Sequence, residues 1–408
     1  MKILEINKYF YEKGGAERVF FDEARLLASK GHAVIPFSMQ HPQNTASKYG
    51  GYFVPHIDYD RSGGLSGIRA ASGLLYSRAA KRNIERLLLA EKPDIAHLHN
   101  IYHQISPSIL HSLKKHGIPV VMTLHDYKLV CASYSMTAGG RICEACRNGR
   151  YYNCYLNKCV KDSGVKSLLN TAEMYLHHKL MHIYDLVDVF ISPSRFLAAK
   201  FREMGFKRDI EYLPNFVDPG NLAPAYGYKE RSVVYFGRIS KEKGLLTLVK
   251  AMRKLPDLTL KIIGDGPLQM RVEAEIVSLG LKNIRLLGYM DGDALREEIL
   301  KTMFIVLPSE WYENNPKTCI EGFAMGKPAV GANVGGIPEL IKDGKTGLLF
   351  KMGDSEDLAA KINYLAGRPD LIGEMGRNAR AFVENDLNAG KHYEGLMRIY
   401  QKAIAKVI

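Results

Sequence analysis

The residues best placed for chemistry lie in one stretch, PSEWYENNPKTCIEGFAMGKPAVGANVGGIPE (308–339). Glu313 and Glu321 stand there with seven residues between them. Glu313 falls in the loop after an apolar strand run, and Glu321 about one turn into the helix that follows. In α/β sheets, ligands bind where strands end and helices begin. Free N–H groups at a helix start suit phosphate, and a nearby carboxylate accepts hydroxyl groups of a sugar. Alone, the pair also reads as two helix-start acids complementing a dipole. The surrounding Trp311-x-Glu313-Asn314-x-Pro316, Gly326-Lys327-Pro328 and Gly335-Gly336-x-x-Glu339 favour a site.

Other candidates are scattered along the chain. Arg238 and Lys243 follow a strand run. A diphosphate leaving group needs fixed positive charge as its bond breaks, and Arg plus Lys supply that without a metal. The same string also reads as solvated loop charges. Gly14 and Gly15 follow the first strand and open a helix, where glycine lets backbone approach a phosphate; a simple tight turn fits equally well. His125 ends a strand run before Asp126-Tyr127. Strand alternation puts His97 and His99 on one face, which reads first as a structural pair. Asp58-x-Asp60 and Asp291-x-Asp293 resemble metal-holding pairs, but Asp293 precedes a helical run and reads better as its N-cap. Cys143-x2-Cys146-x7-Cys154-x4-Cys159 has the makings of a four-thiolate zinc site, with an iron–sulfur cluster or unligated thiols as alternatives and Cys131 as a spare.

The elements that must position these residues alternate between short apolar runs and amphipathic helices, the mark of α/β architecture with parallel sheets. Strands are expected at 2–7, 32–39, 94–99, 119–125 and 188–194. A second set follows at 232–237, 258–264, 283–288, 304–309, 327–332 and 346–350. A helix over roughly 16–28 should end at Gly31 in the C′ position. Residues 1–212 then form a first Rossmann-like domain, with a loop-rich, cysteine-rich insertion at 131–160. Residues 213–230, rich in Pro, Gly and Asn, form a linker. Residues 231–385 form a second Rossmann-like domain, and 386–408 a last helix expected to return to the first.

Composition bounds the function. The chain has 408 residues, 46% hydrophobic and 24% charged, the balance of a folded globular protein and not of a disordered one. No run approaches the roughly 18 consecutive apolar residues of a membrane span. The N-terminal apolar run is too short for a secretory signal, so a cytoplasmic protein with reduced cysteines is expected. The net charge is +13, and about +10 of it lies in residues 1–212. Such a field attracts phosphate-rich partners. The basic stretch 61–89 is a candidate for an anionic membrane surface, placing the protein peripherally on its inner face, or for a packed surface helix. No nucleic-acid signature appears, and no nucleic-acid partner is expected.

The order of motifs resembles the retaining family-4 glycosyltransferases of GT-B fold. The motifs are Gly14-Gly15-Ala16-Glu17, His125-Asp126-Tyr127, Pro214-Asn215-x-Val217-Asp218, Gly237-Arg238, Lys243-Gly244, Gly264-Asp265-Gly266 and the Glu-x7-Glu block. The resemblance implies two Rossmann-like domains facing each other across a cleft that binds a UDP- or GDP-sugar. It implies transfer to a glycan or lipid-linked acceptor with retention and without a catalytic metal. It gives Glu313 the transferred sugar, Glu321 the ribose, and Arg238 and Lys243 the diphosphate. His125 would meet the donor sugar or reaction centre. Gly14 and Gly15 would cover the diphosphate, while Asn314, Asn315, Lys317 and Thr318 line the donor loop with Gly237 and Gly264. Tyr289 lies near the base. A sugar-nucleotide epimerase of the same fold and a non-catalytic binding module are the alternatives.

Overall fold

The computed structural model describes residues 1–57 and 72–407. Asp58-x-Asp60 and the first part of the basic stretch 61–89 lie outside the described residues. The chain divides into two compact units. The first comprises Met1–Gly139, Cys143–Leu213 and His392–Ile408; the second comprises Gly140–Ile142 and Pro214–Lys391.

In the first unit, β1 (Lys2–Ile6), β2 (Ala33–Phe37), β3 (Ile95–Leu98), β4 (Val120–Thr123), β7 (Val189–Ser192) and β8 (Ile210–Tyr212) form one sheet. A short ribbon, β5 (Thr137–Ala138) with β6 (Arg141–Ile142), interrupts the count. The sheet order is β2-β1-β3-β4-β7-β8 and every pairing is parallel. Parallel strands covered on both faces read as unbroken apolar runs, which is why β1, β3, β4 and β7 were visible in the sequence. The three-residue β8 sits where the linker was expected to begin. The helix Gly15–Ser29 buries Val19, Phe20, Leu26 and Leu27 on one side and ends before Gly31 at φ +81°, the left-handed stop its glycine allows.

The second unit repeats the plan. β9 (Ser232–Phe236), β10 (Thr259–Ile263), β11 (Ile284–Gly288), β12 (Ile305–Leu307), β13 (Ala329–Ala332) and β14 (Gly347–Phe350) run parallel in the order β11-β10-β9-β12-β13-β14. Each sheet thus has a topological switch point, between β1 and β3 in the first and between β9 and β12 in the second. Loops leaving the carboxyl ends of such strand pairs are where open α/β sheets take ligands.

One helix cap differs from expectation, and one helix follows the packed-surface alternative. Asp291, not Asp293, occupies the N-cap of the helix Gly292–Lys301, and its side chain makes no cap hydrogen bond. Asp293 lies in the first turn and pairs with Arg296 at 3.0 Å. The helix Arg78–Glu91 turns Ile84, Leu87 and Leu88 into the first unit. That apolar face is already covered by protein, so it is not on offer to a lipid surface.

The last helix, Ala389–Ala405, lays Leu396, Ile399, Tyr400 and Ala403 into one cluster with Ile3, Leu27, Ile95, Val121 and Val189. It is a structural part of the first unit. Replacing Tyr400 with Ala should therefore cost about 3–5 kcal/mol, read by urea unfolding. Tyr400→Phe, which keeps the ring and loses the hydroxyl, should cost about 1–3 kcal/mol. A loss below about 1 kcal/mol for Tyr400→Ala would mean that the helix is not part of that core.

Candidate functional site

At the switch point of the second unit, the loop after β9 meets the loop after β12. Lys243 ends a short turn that opens the helix Leu245–Met252, and Glu313 sits in the segment between β12 and the helix Lys317–Ala324. Lys243 Nζ lies 2.6 Å from Glu313 Oε1, and Ser309 Oγ donates to the same oxygen at 2.7 Å. Glu313 is buried. Burial alone would raise its pKa, but the Lys243 ammonium and the hydrogen bonds outweigh that and hold it below the usual carboxylate value. Glu313 is thus a fixed anion, fit to accept hydroxyl protons rather than to donate one. Lys243 Nζ also lies 5.3 Å from the centre of the Trp311 ring.

Backbone approach at this point requires glycine. A Cβ on Gly335, at φ +61°, would fall 2.3 Å from the Glu313 carbonyl oxygen, and Gly336 N–H donates to that same oxygen at 2.7 Å. A Cβ on Gly244 would fall 1.9 Å from the Pro308 carbonyl oxygen. The two glycines let three loops close on the Lys243–Glu313 pair. Asn215 fastens the loop from outside, with its N–H donating to Asn315 Oδ1 at 3.1 Å and its Nδ2 to the Asn315 carbonyl at 2.7 Å.

The remaining candidates in this unit gather around the same loops. Gly237 N–H donates to Ile263 and Gly264 N–H to Gly288, so the ends of β9, β10 and β11 lie side by side. A Cβ on Gly237 would reach the Thr318 methyl at 3.9 Å. Arg238 is exposed, with its carbonyl accepting from Tyr235 Oη at 2.7 Å. Lys317 is buried, its Nζ 5.8 Å from the Phe216 ring centre. Asn314 and Glu321 are half-buried, Glu321 within the helix as expected. Tyr289 is 61% exposed at the end of β11.

The first unit presents a different constellation at its own switch point. Asn100 N–H donates to Asn7 Oδ1 at 3.2 Å, stitching the loops after β1 and β3 together. Gly14 caps the helix Gly15–Ser29 without a side-chain hydrogen bond, leaving first-turn N–H groups as a place for an anion. Beside it, His97 and His99 share one face as their alternation implied, with ring centres 4.5 Å apart. Glu5 and Glu23 join them, which the sequence analysis missed; the signal was Glu5, a charged residue inside an otherwise apolar strand run.

These four side chains are buried, and their ligating atoms all lie within 4.8 Å of one another. Hydrogen bonds satisfy most of the group. His97 Nδ1 meets Tyr400 Oη at 2.9 Å and its Nε2 meets Thr123 Oγ1 at 2.8 Å; His392 Nε2 meets Glu23 Oε1 at 2.8 Å. Burial opposes charge on Glu5 and Glu23, yet the histidines draw both carboxyls below their usual value. His97 is in turn raised, its burial outweighed by Glu5.

The network ends on His125. His99 Nε2 faces Glu5 Oε2 at 3.1 Å, and His99 Nδ1 faces His125 Nε2 at 2.8 Å. A carboxylate only accepts, so His99 carries its proton on Nε2. Burial, with His99 and His97 beside it, pushes the His125 pKa well below the ordinary 6.5, which favours its neutral form.

The four cysteines of the expected zinc set occupy one region together with Cys131. Among the described residues, however, the Glu5–Glu23–His97–His99 group is the one gathered to metal-ligand spacing.

Comparison with known proteins adds the relationship. The family model described as Glycosyltransferase Family 4 matches residues 13–221, and Glycosyl transferases group 1 matches residues 226–382. A protein in the cps region of Klebsiella pneumoniae is 27% identical, over 84% of this chain and 88% of that protein. An uncharacterized glycosyltransferase of Methanocaldococcus jannaschii is 31% identical, over 41% of this chain and about half (47%) of that protein. Among solved structures, sucrose-phosphate synthase from Thermosynechococcus elongatus superposes with a TM-score of 0.75 at 18% identity, covering 100% of both chains. Anabaena HepE, in complex with UDP and glucose, superposes at 0.69 and 16% identity, over 98% of this chain and 99% of that one. These likenesses place the fold in the GT-B class, as the sequence led one to expect.

The histidine network predicts a pH signature. A base whose folded-state pKa is depressed stabilises the fold above its unfolded value and loses that contribution as pH falls. For His125 the loss begins near pH 6.5 and continues downward; Glu5 and Glu23 add losses of the same sign below about 4.5. His97 acts oppositely, its contribution fading as pH rises through its raised pKa. Nitrogen NMR of the labelled ring should show His125 neutral throughout pH 6–8. A His125 that titrates at or above 6.5 would contradict the network as drawn.

Proposed function

Because the chain belongs to glycosyltransferase family 4, we propose that it moves a sugar from a nucleotide-diphosphate sugar to a glycan or lipid-linked glycan, with retention and without a catalytic metal. The observation that carries this reading is the pairing of half-buried Lys243 with buried Glu313 at the switch point of the second unit. An ionised carboxylate there is a receptor for the hydroxyls of the transferred sugar. Lys243, one charge short of neutralising a diphosphate, needs a second cation, and Arg238 is an exposed one on the same loop. Together they stabilise charge that grows on the leaving phosphate. Glu321 takes the ribose hydroxyls. Asn314, Asn315, Lys317 and Thr318 shape the donor loop with Gly237 and Gly264, and Tyr289 lies by the base.

The first unit serves the acceptor. Its Gly14 and Gly15 open a helix whose N-terminal N–H groups suit a phosphate. His125, kept in its neutral form by burial, hydrogen-bonds a sugar hydroxyl without adding charge. The departing phosphate oxygen accepts the acceptor's proton as the new bond forms on the same face. The protein then positions both substrates and stabilises the leaving group. HepE, crystallised with UDP-glucose, supports a nucleotide-sugar donor. The Klebsiella relative in a cps region supports a surface glycan as the acceptor's destination. A place at the inner face of a membrane accords with a lipid-linked acceptor, although no described helix is long and apolar enough to cross one.

A thermal-shift panel of nucleotide sugars, run with and without EDTA, tests the donor. One donor should raise Tm equally in both conditions; no shift with any donor would sink the reading. Glu321→Ala and Arg238→Ala should lose most of kcat/KM with the fold intact. Lys243→Ala should lower kcat by about 10²–10³. NMR of the anomeric proton in the first-formed product reports retention, and an inverted product would refute the same-face mechanism.

A further inference from the structure

The transfer chemistry leaves the cysteine-rich insertion unused. Five of the six cysteines fall between residues 131 and 159. The segment has little regular structure: the two-residue strands β5 and β6 and one turn of helix, Tyr152–Leu156. Its backbone takes left-handed conformations at Tyr134, Met136, Asn148 and Lys158, and Lys161 and Asp162 just beyond it do the same. Backbone of that kind persists only where its surroundings over-determine it. The segment has few means of its own to do so. One anchor is Lys128, buried just before it, which donates to the Ala132 carbonyl, Asn170 Oδ1 and Glu173 Oε2.

The five thiols form one connected set. Cys154 and Cys159 hydrogen-bond through their sulfurs. Cys146 has Cys131, Cys154 and Cys143 as electrostatic neighbours, and Cys159 has Cys131 and Cys143. Cys131, Cys146 and Cys154 are buried, while Cys143 and Cys159 are half-exposed. Cys319 lies apart, in the core of the second unit. We propose that four of the five thiols hold one zinc ion as a closed structural site, with Cys143 and Cys146 as the fixed pair and two of Cys131, Cys154 and Cys159 completing it.

Several features favour this occupant. Thiolates with a two-residue first spacing select zinc over oxygen-loving cations, and four of them leave no open position for catalysis. A tetrathiolate zinc centre carries two negative charges, and the segment supplies Arg141, Arg147, Arg150, Lys158 and Lys161 against Glu144 and Asp162. The sulfurs stand as neighbours but outside the 4.8 Å mutual spacing of the Glu–His group, so holding an ion requires the thiols to close on it.

The test is independent of transferase activity. The full chain, purified reduced and without chelator or metal-affinity resin, should carry about one zinc per chain by elemental analysis. An organomercurial should release that zinc as it consumes the thiols. Cys143→Ser and Cys146→Ser should lose the metal. One of Cys131→Ser, Cys154→Ser and Cys159→Ser should keep it, and so should Cys319→Ser. Should the variants fail to fold, cobalt exchanged into the wild-type chain should give thiolate-to-cobalt charge-transfer absorption. A reduced chain that holds no zinc, takes up none and gives no cobalt band overturns the proposal. So does iron with labile sulfide, or a metal-free chain in which Cys154 and Cys159 are oxidised to a disulfide.

Discussion

Two carboxylates, Glu5 and Glu23, lie buried beneath the first sheet, and much of the first unit is arranged to make that tolerable. A buried charge is expensive unless it is paired and hydrogen-bonded. Here the partners come from four parts of the chain: His97 and His99 from the third strand, His392 and Tyr400 from the last helix, Thr123 from the fourth strand through His97, and His125 through His99. Removing any one partner leaves another buried polar atom without its match. The last helix is thus bound to the first unit by electrostatic necessity as well as by its apolar face.

The second unit solves a similar problem on a smaller scale. Glu313 is buried at a strand end and is matched by one lysine and one serine. The geometry is available because Gly335 and Gly244 permit backbone approaches that any side chain would block. Both units therefore place a paired buried carboxylate near the crossover of a parallel sheet, one linked to a histidine and the other to a lysine.

Much of the architecture was legible because parallel strands are buried on both faces. Runs such as Ile3–Ile6 and Val233–Phe236 carry little else than apolar residues, and helical spacing between them fixes the alternation. The three-residue β8 was not legible, since it lies against a segment of turn-forming residues and has too few positions to show a period. Glu313, Lys243 and Glu321 could be proposed because their local strings are distinctive. The pairing of Lys243 with Glu313, seventy residues apart, was not readable, nor was the convergence of Glu5, Glu23, His97 and His99. Such contacts depend on sheet order, which single-residue patterns do not encode. Asp293 illustrates the converse: a cap assigned from sequence moved by two residues, because the start of a helix is set by backbone geometry as much as by residue type.

The helix Ala389–Ala405 completes the first unit, yet it is made only after the body of the second. Between Leu213 and His392 the ribosome must add roughly 180 residues, which takes about 10–40 s at typical bacterial to eukaryotic rates. Throughout that interval the nascent first sheet displays the groove meant for Leu396, Ile399 and Tyr400, and keeps Glu23 without its histidine. The second unit, whose strands arrive consecutively, has no such wait. Synthesis order therefore runs against assembly order, and the half of the protein that emerges first is the half that must be sheltered longest.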